Sequence, residues 1–212
     1  MVPRLLAVGA LAAALAAPAA AAGTPPFTAR VSRVTAHDLR WSWRPGCPVP
    51  PARLRAIRLA YRDFGGRRRL GTLVVNERAV AAVTRVFRIL YRARFPIRSI
   101  RPVDAFHGSD DRSMAGDNTS AFNCRKAVTT GPAGWSMHAY GLAVDVDTRE
   151  NPYREGGRWL PAAGARYADR RDVRPGMAVA GGVLVRAFAS VGWGWGGRWG
   201  DPDYQHFSAN GR

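Results

Sequence analysis

Apolar residues recur along this chain in several rhythms, and each predicts a different element. Ala56 to Tyr61 alternates apolar and basic residues, Gly65 and Gly66 mark a turn, and Leu70 to Val75 resumes a β-rich run. That pattern predicts two strands joined as a hairpin. Val80, Val83, Val86, Phe87, Leu90 and Tyr91 then repeat at spacings of three and four. They predict one apolar helix face with arginines opposite, capped by Asn76 and ended before Pro96.

Beyond that helix the rhythm shortens again. Ile97 to Val103 reads as a strand, and residues 104–135, rich in Asp, Ser, Asn and Gly, as a long loop of the kind that often carries function. Leu142 to Val146 alternates as a strand in the core sheet, followed by an irregular stretch to about Gly176. A short helix is expected from Val183 to Val191, then a Gly/Trp-rich stretch from Gly192 to Trp199, then a last strand around Tyr204 to Ser208.

The N-terminus changes the picture of where the protein works. Arg4 precedes an apolar run from Leu5 to Ala17, and small residues follow to Ala22. This order is that of a secretory signal peptide over residues 1–22, and the run is too short to span a bilayer. Residues 23–51 read as an extended arm pinned by Trp41, Trp43 and Cys47, and residues 52–212 as one domain. The chain has 212 residues, 47% of them hydrophobic, which suffices for a core of its own. No later segment is long and apolar enough to cross a membrane.

Export also bears on the cysteines. Cys47 and Cys124 are the only two, and in an oxidising compartment such a pair tends to be joined, so a Cys47–Cys124 disulfide is expected. Paired metal-binding thiols would need closer spacing.

The net charge is +17, and almost all of it is arginine, since Lys126 is the only lysine. Such a surface attracts polyanions: for an exported protein, the phosphates and carboxylates of wall polymers before nucleic acid. Part of the excess is composition alone, with arginines that solvate the surface. No specific nucleic-acid motif is present, and the chain is expected to act as a monomer.

Candidate chemistry concentrates in two short segments. In Ser136-Met137-His138-Ala139-Tyr140-Gly141-Leu142-Ala143-Val144-Asp145, an imidazole entering a strand and a carboxylate on it can approach one point, with Gly141 letting the backbone bend closely. Both are good zinc ligands, and a catalytic zinc takes three protein ligands and keeps a fourth position open. Of the remaining histidines, His37 and His107 lack a pattern. His206, in Asp203-Tyr204-Gln205-His206-Phe207, is the better candidate for the third ligand, with Asp203 close enough to act as a base. Asp147, two residues beyond Asp145, is an alternative ligand.

These segments resemble the S-x-H-x-x-G-x-A-x-D signature and the closing acid-x-x-H element of the zinc D-alanyl-D-alanine carboxypeptidase and L-alanyl-D-glutamate endopeptidase family. The runs Asn118 to Arg125, Asn151 to Tyr153 and Gly192 to Gly197 look like further blocks of it, so the resemblance extends over about Trp41 to Ser208. It implies a small α+β domain with a central antiparallel sheet flanked by helices, of the kind shared with the Hedgehog signalling domain, one zinc ion held by His138, Asp145 and His206, and hydrolysis of an amide bond in peptidoglycan stem peptides. Asp203 would act as general base. An arginine would face the oxyanion: Arg125 is the candidate and Arg112 the runner-up, with pairing to Asp117 or Asp147 as the structural alternative. Ser136 would contact substrate or support a ligand. Trp193, Trp195 and Trp199 would line a cleft wall or pack in the core. A carboxypeptidase and an endopeptidase both fit, and so does a non-catalytic zinc-binding extracellular module.

Overall fold

The computed structural model describes residues 25–127 and 134–211. The expected signal peptide lies outside the described residues. Three strands form the first sheet: β1 (Ala29–Arg33), β2 (Leu54–Arg62) and β3 (Arg68–Asn76), antiparallel in that order. The hairpin predicted from alternation is β2–β3, and its turn is held by Asp63, whose Oδ1 accepts from the Gly65 and Arg67 amides at 3.0 and 2.8 Å. The segment read as an extended arm contributes β1, paired to β2 with Ala29 opposite Leu59.

Helix α1 (Val80–Arg92) lays Val83, Val86, Phe87, Leu90 and Tyr91 onto the core. Its start is a 3-10 turn, Glu77–Ala79, capped by the Asn76 side chain accepting from the Arg78 amide. Phe87 and Leu90 meet Ile57, Leu59 and Leu73 of the sheet and Leu184 and Phe188 of α3 (Val183–Ala189) in one cluster. The apolar periodicity therefore carried real packing information, because the same stripe meets both the sheet and the second helix.

Ile97 to Val103 does not form the predicted strand. It touches its neighbours through single bridges, Ile100 to Thr119 and Pro96 to Arg62. Pro96 and Pro102 lack the amide protons that a continuous ladder needs. The long loop that follows contains a short helix, α2 (Asp110–Ala115), capped by Ser109 with Asp110 and Asp111 in its first turn. Only Met114 and Ser113 of α2 are buried, so its apolar signal is nearly silent.

A second antiparallel sheet is built from β4 (Ala143–Asp145), β8 (His206–Ser208) and β7 (Gly194–Trp195), in the order β4-β8-β7. A separate hairpin, β5 (Tyr153–Glu155) and β6 (Arg158–Leu160), turns through Gly156 and Gly157, both at positive φ. The segment was expected to be irregular, yet a Gly-Gly pair between strand formers is a hairpin signal. The fold is α+β, as predicted, with its antiparallel strands divided between these sheets. The Cys47–Cys124 disulfide ties the N-terminal segment to the loop ahead of β4. No described helix is long and apolar enough to cross a membrane.

Candidate metal centre

Strand pairing brings the key side chains together. In the β4–β8 ladder Asp145 lies directly opposite His206, and side chains of directly opposed residues share one face of the sheet. His138 comes from the 3-10 turn Met137–Tyr140 just ahead of β4, which ends on Gly141 at φ +65°. A Cβ at Gly141 would lie 2.5 Å from the Asn76 amide nitrogen, which donates to the Gly141 carbonyl. Glycine is needed here for both its left-handed backbone and its lack of a side chain, and the turn it makes delivers His138 to β4.

The three groups form a tight triangle. His138 Nε2 is 3.1 Å from Asp145 Oδ2 and 3.1 Å from His206 Nδ1, which is 3.2 Å from Asp145 Oδ1. All three residues are buried. His138 Nδ1 lies 2.5 Å from the Ala121 carbonyl, so in neutral imidazole its proton sits there and Nε2 presents a lone pair. A lone pair turned toward a carboxylate and a second imidazole is favourable only with a proton or cation among them. Two nitrogens and one carboxylate, with a carbonyl fixing the outer imidazole nitrogen, are a donor set that suits zinc. No other group of three or more such residues converges in this way among the described residues.

Burial alone would raise the Asp145 pKa, but the surrounding His138 and His206 imidazoles override it and hold the carboxyl well below the usual range. Asp203 behaves in the opposite way. Burial pushes it up to about 7, the Asp145 charge adds to the rise, and His206 and Arg125 pull against it. Its Oδ1 is sealed from solvent and makes no hydrogen bond. The Asp203 backbone is fixed from both sides: its amide donates to the Gly196 carbonyl at 3.0 Å, and its own carbonyl accepts from the His206 amide. A Cβ on Gly196 would come within 2.7 Å of that carbonyl, so the Gly/Trp-rich stretch is glycine where it cradles Asp203.

A cleft of about 460 Å³ opens beside these groups, lined by Arg125, Ser136, Tyr153, Trp199, Asp203 and His206 among others. Arg125 forms an ion pair with Asp110 at 2.9 Å, and neither Asp117 nor Asp147 pairs with it. Arg112, the runner-up, lies exposed on α2 and does not line the cleft. The Ser136 hydroxyl accepts from the His138 amide at 3.3 Å, capping the turn that carries His138. Trp193 and Trp195 are buried in the core, whereas Trp199 is 37% exposed and lies over His206, ring centroids 5.4 Å apart.

Asp147 is not part of the triangle. It turns away to accept from the Arg98 amide at 2.8 Å, in a buried group with Asp117 and Glu150. The β5–β6 hairpin supplies Tyr153, Arg154, Glu155 and Gly156 to the cleft, a wall that reading the segment as irregular missed. Asp110 was missed as well, and its acidic first-turn position after a Ser cap was the available signal.

No curated protein and no solved structure gives a significant match to this chain. One family does: residues 129–209, which include Ser136, His138, Asp145, Asp203 and His206, are similar to the family described as D-alanyl-D-alanine carboxypeptidase.

Proposed function

We propose that this protein is a secreted, zinc-dependent peptidase that hydrolyses an amide bond in peptidoglycan stem peptides. The observation that carries the reading is the convergence of His138, Asp145 and His206 beside Asp203 at one cleft. The family match over the same residues supports peptidase chemistry on D-alanyl-D-alanine-type substrates. The N-terminal leader and the disulfide support work outside the cytoplasm.

His138, Asp145 and His206 would hold the ion and leave a position open toward the cleft. Zinc bound there supplies a Lewis acid that polarises a carbonyl and eases deprotonation of water. Asp203 handles the proton, taking it from the attacking water and returning it to the leaving amine. Its carboxylate lines the cleft beside His206, in place for both halves of that exchange. Arg125 presents a cation where the carbonyl oxygen gains negative charge, and Asp110 restrains it. Ser136 offers its hydroxyl to substrate from the cleft wall, while Tyr153 and Trp199 shield the scissile bond from bulk water.

The test is mass spectrometry of defined muropeptides incubated with the zinc-loaded protein. Loss of a terminal D-alanine would identify a carboxypeptidase, and cleavage within the stem an endopeptidase. If every muropeptide survives, the enzymatic reading fails and a non-catalytic zinc-binding module takes its place.

A further inference from the structure

The positive charge of this chain is confined to one half of it. Residues 25–103 hold eighteen arginines against three acids, whereas residues 104–211, which carry the candidate metal centre, hold twelve bases and twelve acids. An arginine excess from composition alone would fall on both halves. The exposed face of α1 carries Arg85, Arg88 and Arg92, and the helix itself contains no acid.

One concavity brings three of these arginines together. A cavity of about 460 Å³ at the C-terminal end of α1 is lined by Pro25, Pro26, Phe27, Arg88, Tyr91, Arg92 and Arg94, with no carboxylate among them. It is an ordered place: the Tyr91 hydroxyl donates to the Pro25 carbonyl at 2.6 Å, and the Phe27 and Tyr91 rings lie 5.8 Å apart. Arg62 packs on the Tyr91 ring at 4.6 Å, and it is buried with no ion pair among the described residues. Arg94 adopts φ +53° just past the helix end, a left-handed position where glycine is the unstrained choice. The helix dipole accounts for a cation in the last turn of α1, but not for an arginine held in strained backbone or a further one buried under Tyr91.

We propose that this cavity and the α1 face leading to it form a binding surface for a linear polyol-phosphate chain, separate from the candidate metal centre. Guanidinium groups match phosphate geometry, and a row of them along a helix fits a repeating phosphodiester better than one small anion. The polymer is one without bases. Arg88 covers Phe27 at 5.6 Å and Arg62 covers Tyr91, so the aromatic faces that would stack bases are occupied by the protein's own cations. The Cys47–Cys124 disulfide likewise fits a partner met in an oxidising compartment. None of the lining residues is shared with the cleft of the candidate centre, so this surface stands whether or not the peptidase reading holds.

Titration calorimetry of the full chain with a synthetic oligo(glycerol phosphate), repeated over a salt series, tests the proposal. The double variant Arg88→Gln/Arg92→Gln should weaken binding by about tenfold or more at physiological salt. It should also lower the slope of log K against log salt by about 1.4, the value for two lost phosphate contacts on a single-stranded polyanion. The pair Arg171→Gln/Arg186→Gln, equal in charge change but in the balanced half, should leave both nearly unchanged. An equal loss in the two double variants would overturn the proposal in favour of net charge alone. Free glycerol phosphate binding as tightly as the oligomer would overturn the polymer, and single-stranded DNA binding equally well would overturn the base-free ligand.

Discussion

Asp145 and Asp147 stand two residues apart and belong to two different buried acid clusters. Asp145 faces two imidazoles, and the nitrogen and oxygen atoms of all three converge with no guanidinium or ammonium paired to Asp145 among the described residues. Asp147 joins Asp117 and Glu150, where Arg98 brings its own cation: its guanidinium reaches Asp117 at 3.3 Å and Glu150 at 3.0 Å, and its amide serves Asp147. Among the described residues the Asp145 carboxylate has only imidazoles for partners, whereas the second cluster carries a guanidinium of its own. A buried carboxylate thus points to a ligand when the groups around it are acceptors, and to architecture when one of them is a guanidinium.

The largest effect that would sharpen this contrast is kinetic. Asp203→Ala should lower kcat for muropeptide cleavage by about 10²- to 10⁴-fold, the range of a positioned general base, with zinc content unchanged by elemental analysis. Arg125→Gln should cost about 10²- to 10³-fold in kcat if its cation meets the oxyanion. A change confined to KM would instead make it a substrate anchor.

Effects at the second cluster should be on stability alone. Arg98→Ala takes the guanidinium from Asp117 and Glu150 while keeping the amide that serves Asp147, and should cost about 2 kcal/mol in urea denaturation, less than a fully buried pair because Arg98 is half exposed. The smallest effect is in pH. Burial and Asp117 raise Glu150 from 4.5 to about 7, and burial raises Asp147 well above its usual value. Their protonated forms are the ones the fold prefers. The cluster's contribution to stability should be full below about pH 4.5 and be lost as pH rises through about 7. Glu150→Gln should flatten that decline, and an unchanged slope would show that the cluster takes up no proton on folding.

Much of this was legible in the sequence because local rules and tertiary packing agree. The β2–β3 alternation, the α1 stripe and the S-x-H-x-x-G-x-A-x-D run each state a geometry that the chain adopts. What was hidden depends on contacts distant in sequence. Whether Asp145 or Asp147 faces His206 is decided by strand register and by Arg98, and neither is local. The β5–β6 wall was missed because strands of three residues give almost no periodic signal, although Gly156-Gly157 announces their turn. α2 escaped because it buries little apolar surface, so that only its Ser109 cap and two aspartates betray it.

The Asp145 cluster, and not its neighbour around Asp147, is the proposed holder of the metal. Native mass spectrometry of the zinc-equilibrated protein tests this most directly, alongside Asp145→Ala and Asp147→Asn. One zinc per chain in the wild type and in Asp147→Asn, with none retained by Asp145→Ala, is the predicted result. Zinc retained in full by Asp145→Ala, or lost from Asp147→Asn in a protein that remains folded, would contradict it.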